Sequence, residues 1–117
     1  MITPYISQQP VDDFGLRFAD LKYSAALAAT TDTPLLIPGN AQRYKAIIKV
    51  EQNGIVWIAI NAIAAVPAGA AFAATTSELI TDARSLCREI KAGDTLHFYS
   101  TAGADVSVVL YAIGTNN

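Results

Sequence analysis

The chain is short of charge. Asp, Glu, Lys and Arg make up 15% of its 117 residues, against roughly 25% in ordinary soluble domains. There is little charge to cover an isolated surface, and part of that surface is expected to be buried in an oligomer. The formal net charge is −2. Lys and Arg are spread along the chain without a basic run, so nucleic acid is not an expected partner. A single cysteine, Cys87, excludes an intrachain disulfide and any multi-cysteine zinc site. It reads as a small core hydrophobe in a protein made in a reducing cytoplasm. The phosphate-binding patterns GxxxxGK and GxGxxG are absent. The opening MITPYISQQPVDD lacks a charged start and an apolar run, so no signal peptide is expected. The Ala-rich stretch 59–74 is broken by Asn61, Pro67 and Gly69 and is too short to span a bilayer as a helix, so no membrane partner is expected.

Catalytic material is equally sparse. His97 is the only histidine, and on an alternating strand it reads as a hydrogen-bonded or solvated side chain. A catalytic triad would need a nucleophile and an acid brought to it by folding. Asp12, Asp13 and Asp20 lack the glycine and spaced oxygen ligands of a calcium loop. Glu78 and Glu89 are candidates for a carboxylate pair, but nothing in the sequence places them together. No enzyme, metal site or cofactor is expected.

What is present is β pattern. The segment RYKAIIKVEQNGIVWIAIN, residues 43–61, reads as two strands joined at Gln52-Asn53-Gly54. Asn-Gly is the strongest short hairpin signal, with both residues suited to a type I′ turn. In the first arm Tyr44, Ala46, Ile48 and Val50 share one face; Arg43, Lys45, Ile47 and Lys49 share the other. In the second, Val56, Ile58 and Ile60 make one apolar face, and Ile55, Trp57 and Ala59 make another. A strand apolar on both faces is covered on both sides, here with a second subunit as the expected cover.

Residues 1–20 read as an extended N-terminal arm, holding Pro4, Pro10, Tyr5, Ile6, Phe14, Leu16 and Phe18. Twenty extended residues span at most about 66–72 Å. The arm either folds back on its own domain or reaches a neighbour.

Residues 21–117 read as a β-sandwich domain. Strands are expected over 22–31, with Tyr23, Ala25, Leu27 and Ala29 inward, and at 35–37. Further strands are expected at 86–90, at 95–100, and at 105–113 with Val106, Val108, Leu110 and Ala112 inward. Residues 70–74 are a candidate short strand; 75–83 read as a helical turn or as strand and loop. Turns are expected at Thr31-Asp32-Thr33-Pro34, at Lys91-Ala92-Gly93-Asp94 and around Gly103. Seven to nine short strands at turn intervals of roughly 8–12 residues predict an all-β, jelly-roll-like antiparallel sandwich of about eight strands. An immunoglobulin-like sandwich is the alternative. Tyr44 reads as core, and Trp57 with Tyr111 as facing the partner side; together with Tyr99 these rings could also form a sugar-stacking platform.

The segments TDTPLLIPGNAQRYKAIIKVEQNGIVWIAINAIAAVPAG, AATTSELI, CREIKAGDTLHFYS and ADVSVVLYA resemble small structural proteins of tailed bacteriophages. Those are β-sandwich proteins that decorate or cement the capsid, usually as trimers. The likeness covers about residues 30–113 and lies in cadence, without one diagnostic motif. It implies a homotrimer without catalysis on the capsid exterior of a virion, made in the host cytoplasm and bridging subunits of the major capsid protein. A head-fibre or tail-tip receptor- or carbohydrate-binding module is the alternative. The partner surface is expected at Tyr5, Ile6, Phe14, Phe18, Ile55, Trp57, Val109 and Tyr111.

Overall fold

A computed structural model describes residues 18–113. The expected Tyr5, Ile6 and Phe14 contacts, and all of the arm but its last residues, lie outside them. Eight strands follow: β1 (Leu21–Leu27), β2 (Thr33–Leu36), β3 (Arg43–Val50), β4 (Ile55–Ile60), β5 (Ser77–Thr81), β6 (Leu86–Lys91), β7 (Thr95–Tyr99) and β8 (Ala104–Ile113). They form two antiparallel four-stranded sheets, ordered β1-β8-β3-β6 and β2-β7-β4-β5. First strand pairs with last, second with seventh, third with sixth and fourth with fifth. This nested pairing is a long hairpin rolled into two layers, the jelly-roll order.

The rolling corrects a reading of the sequence. β3 and β4 do not form a ladder: β3 pairs with β8 and β6, and β4 with β7 and β5. The turn is present, with Gly54 N donating to Glu51 O at 2.9 Å. But Asn53 alone has positive φ there, 66°, and Gly54 does not. Positive φ at the third turn position alone is the type II pattern, which splays its strands where type I′ would keep them paired. The Lys91–Asp94 turn repeats this, with Gly93 at φ 89°, and carries the chain from β6 in one sheet to β7 in the other. Among the described residues the only consecutive strands that pair, β4 and β5, are joined by the longest connection, residues 61–76.

Alternation fills the space between the sheets. Tyr44, Ala46 and Ile48 from β3, Leu96 and Phe98 from β7, and Val106, Val108 and Leu110 from β8 are buried as their periodicity predicts. Each large aliphatic side chain so buried contributes about 1.5–3 kcal/mol. Tyr44 carries a hydroxyl into this core, where it accepts from Ala41 N at 2.9 Å and donates to Pro38 O at 3.3 Å. The β2–β3 connection is thereby held against the core.

Other expectations change at the edges. The first strand ends at Leu27 rather than Thr31, and Ala25 and Ala29 are exposed, because an edge strand of small residues leaves its margin uncovered. Residues 70–74 form no strand, while 77–81 form β5 and not a helical turn. Ile60, at the end of β4, is half exposed rather than inward.

Candidate assembly surfaces

β4 lies inside its sheet, between β7 and β5. Register sets Trp57 opposite Tyr99 on β7 and opposite Leu79 on β5. Ile55 shares their face, and Leu36 joins it from edge strand β2. Leu36, Ile55 and Leu79 are 66%, 55% and 49% exposed; Trp57 and Tyr99 are half-buried. The outward apolar face expected from Ile55 and Trp57 therefore exists, widened by Tyr99 and Leu79, with Leu36 beyond the row of Ala59 and His97.

The third outward residue of β4, Ala59, is buried, because the connection after β4 folds over that end of the sheet. Asn61 turns the chain at φ 56°. Its Nδ2 donates to Asp94 Oδ1 at 3.1 Å, and its Oδ1 accepts from Thr95 N at 2.9 Å. Ala64 N then donates to Asp32 Oδ1 at 3.0 Å, and Ala65 N to Ser77 Oγ at 3.1 Å. Ser77 and His97 both flank Ala59 in register, so the segment is tied across the outer face and Ala64 is buried under it.

His97 completes this clamp. Its Nδ1 lies 2.8 Å from Asp32 Oδ2. An ionised carboxylate only accepts, so Nδ1 carries the hydrogen. Both Asp32 oxygens are thus engaged, one by a ring and one by a loop amide. Among the described residues no Ser, Thr or Cys side chain is hydrogen-bonded to His97, and no three His, Cys, Asp or Glu side chains stand together as metal ligands. Glu78 and Glu89 do not face each other: Glu78 pairs with Arg88, and Glu89 with Arg43 on the far sheet.

From residue 65 to residue 76 every position is exposed and none carries charge. Ile63, Val66 and Phe72 stand out of this connection, Phe72 fully exposed. With Leu36, Ile55 and Leu79 they are six of the eight large exposed apolar side chains among the described residues, all on this sheet or on the connection after β4. The uncharged run from Asn61 to Ser77 was the signal in the sequence for this second patch; its Ala content and lack of period concealed that it is a loop.

The opposite sheet is different. Its outer face presents Lys22, Arg43, Lys45, Lys49 and Lys91, with Glu89 among them and Asp105 toward one end. Most of the chain's eight Lys and Arg are thus collected on one face. The absence of a basic run in the sequence does not carry over to the surface, because β1 and β6 add cations to the alternating set on β3. Lys45, Lys49 and Lys91 make no ion pair among the described residues. Cys87 belongs to this face, opposite Ile47 in register. It is exposed, which corrects its reading as a core residue: β6 is an edge strand, and its inward positions are Leu86, Arg88 and Ile90.

The expected partner residues are divided. Ile55 and Trp57 lie on the apolar sheet; Val109 and Tyr111 lie on the basic one, half-buried. Phe18 is exposed, with the Lys22 ammonium 5.3 Å from its ring centroid. Tyr44 is core, so Trp57, Tyr44, Tyr99 and Tyr111 form no shared platform. Comparison of the chain with protein-family models, curated proteins and solved structures gives no match.

Proposed function

We propose that this chain is a non-catalytic virion structural protein, a capsid decoration or cement protein that acts as a homo-oligomer and grips the major capsid protein on the outside of the shell. The observation that carries the assembly part is the exposure of Leu36, Ile55 and Leu79 on the outer face of one sheet and of Ile63, Val66 and Phe72 on the connection that follows β4. Monomers rarely leave apolar patches beyond a few hundred Å² open to water. The basic face opposite supports a second, separate contact with an acidic partner surface. The virion part rests on the resemblance in sequence cadence. A rigid sandwich that binds only the assembled shell stabilises it by mass action, and that task requires no chemistry.

The test is the mass of the purified chain by light scattering after size exclusion, followed by cosedimentation with empty phage heads. A trimer that pellets with heads is the expected result. A stable monomer that ignores heads would overturn the proposal.

One observation favours a second reading. Trp57 and Tyr99 stand side by side on an open face, the arrangement by which aromatic rings stack on sugars in a receptor-binding module. That reading predicts a change in Trp57 fluorescence on glycan binding, and silence across a glycan array would remove it.

A further inference from the structure

The two sheets part along the β5–β6 side and leave a partly open pocket of about 220 Å³, with Ile60 and Leu86 at its rim. Ile48, Ile58, Ile90 and Leu96 line it, and Ala46, a small inward side chain, leaves it room. Protein interiors hold few voids larger than a water molecule. A volume of about 150 Å³ is enough to hold a benzene ring. At the mouth, Glu78 and Arg88 occupy inward positions of the two edge strands and pair across the gap at 2.7 Å. Both are about half exposed, and water screens such a pair and leaves it weak, so it opens easily.

The same chain carries a free ring. Phe72 is fully exposed, in the uncharged run 65–76. Structureless loops of more than about 12–15 residues in compact domains are commonly functional. A charge-free loop brings nothing to compete with Glu78 and Arg88 at the mouth, and a guanidinium is attracted to the face of an aromatic ring.

We propose that Phe72 of one copy seats in the inter-sheet cavity of a second copy, with Arg88 closing over the ring. This rests on the self-assembly read above and supplies its geometry. A knob on one surface entering a hole on another is a heterologous contact, which repeats head to tail and closes into a ring when the rotation allows. The twelve residues 65–76, with the apolar residues of the neighbouring sheet face, approach the roughly 20 residues per side of a standard interface.

The experiment uses the full chain, light scattering over a dilution series, and two kinds of variant. Phe72→Asp removes the knob. Ala46→Phe fills the hole; Leu86→Trp, which blocks its mouth from a half-buried position, serves if Ala46→Phe does not fold. The wild type is expected to be oligomeric and each variant alone monomeric. An equimolar mixture of knob-less and hole-less chains is expected to give a heterodimer and nothing larger, because one intact knob meets one intact hole. Phe72→Ala is expected to raise the dissociation constant about 30-fold or more. If Phe72→Asp stays oligomeric, or the mixture yields no heterodimer, the knob-and-hole contact is wrong while self-assembly stands. If the hole-blocked chains assemble like wild type, Phe72 docks elsewhere and the proposal is again wrong. A wild type that is monomeric at every concentration removes both readings.

Discussion

His97 and Asp32 meet at 2.8 Å, a ring nitrogen on a carboxylate. The pair resembles half of a catalytic triad, yet the other Asp32 oxygen holds the amide of Ala64. Its work is to tie the start of the β4–β5 connection to the sheet. Asp32→Ala is expected to destabilise the fold by about 1–3 kcal/mol, since it strands a buried amide and a partly buried ring. It should also open residues 61–66 to protease. Asp32→Asn, which retains an acceptor for Ala64, should be the milder change. Urea denaturation with limited proteolysis distinguishes them, and equal effects of the two variants would contradict the clamp.

Gly54 follows the β3–β4 turn at a position where a side chain has no room. An added Cβ would stand 2.4 Å from Val50 Cγ1, 3.0 Å from Glu51 O and 3.3 Å from Ala104 Cβ. Gly54→Ala must move both a side chain and backbone at a corner between the sheets. A loss of about 1–3 kcal/mol is expected, the usual range for overpacking, read as a lower urea midpoint at unchanged slope.

Asn61 holds a left-handed turn and two side-chain hydrogen bonds to the start of β7. Asn61→Ala loses both bonds and keeps the positive φ, which disfavours side chains with a Cβ by about 1–2 kcal/mol. Asn61→Gly relieves the backbone and loses only the bonds. Thermal melts should rank wild type above Gly and Gly above Ala; Ala at or above Gly would show that the backbone conformation carries no strain.

Cys87 is exposed on the outer face of edge strand β6. In the folded chain without denaturant, a disulfide reagent such as DTNB should titrate one thiol per chain. A thiol that reacts only after unfolding would return Cys87 to the core and would shift the register of β6 by one residue.

Trp57 lies at the centre of the apolar sheet face, between Tyr99 and Leu79. Aromatic anchors at interface centres dominate binding energy. Trp57→Ala and Leu79→Asp should therefore weaken the oligomer more than Tyr111→Ala, which lies on the opposite sheet. Sedimentation across a dilution series checks the order. Tyr111→Ala as the most disruptive change would place the contact on the basic face.

Local pattern alone determined much of this protein. Alternation marked Tyr44, Ala46 and Ile48, Leu96 and Phe98, and Val106, Val108 and Leu110 as inward, and they are the core. The chemistry of Asn53, Gly93 and Gly103 placed turns where φ is positive. It also made Ile55 and Trp57 an outward apolar pair. These are properties of a few adjacent residues, set by the two-residue repeat of a strand and the sterics of single dihedrals.

Tertiary structure decided what those strands do with one another. Asn-Gly marked a turn correctly but could not say that its arms enter different sheets; that choice is made by partners as distant as Leu21 and Leu110. The same long-range pairing gathers the lysines on one face, sends Trp57 and Tyr111 to opposite sides, and exposes Cys87 at an edge. It also leaves the cavity between β5 and β6. Burial belongs to the whole roll and not to any segment of it, because a side chain is covered only by what another part of the chain brings over it.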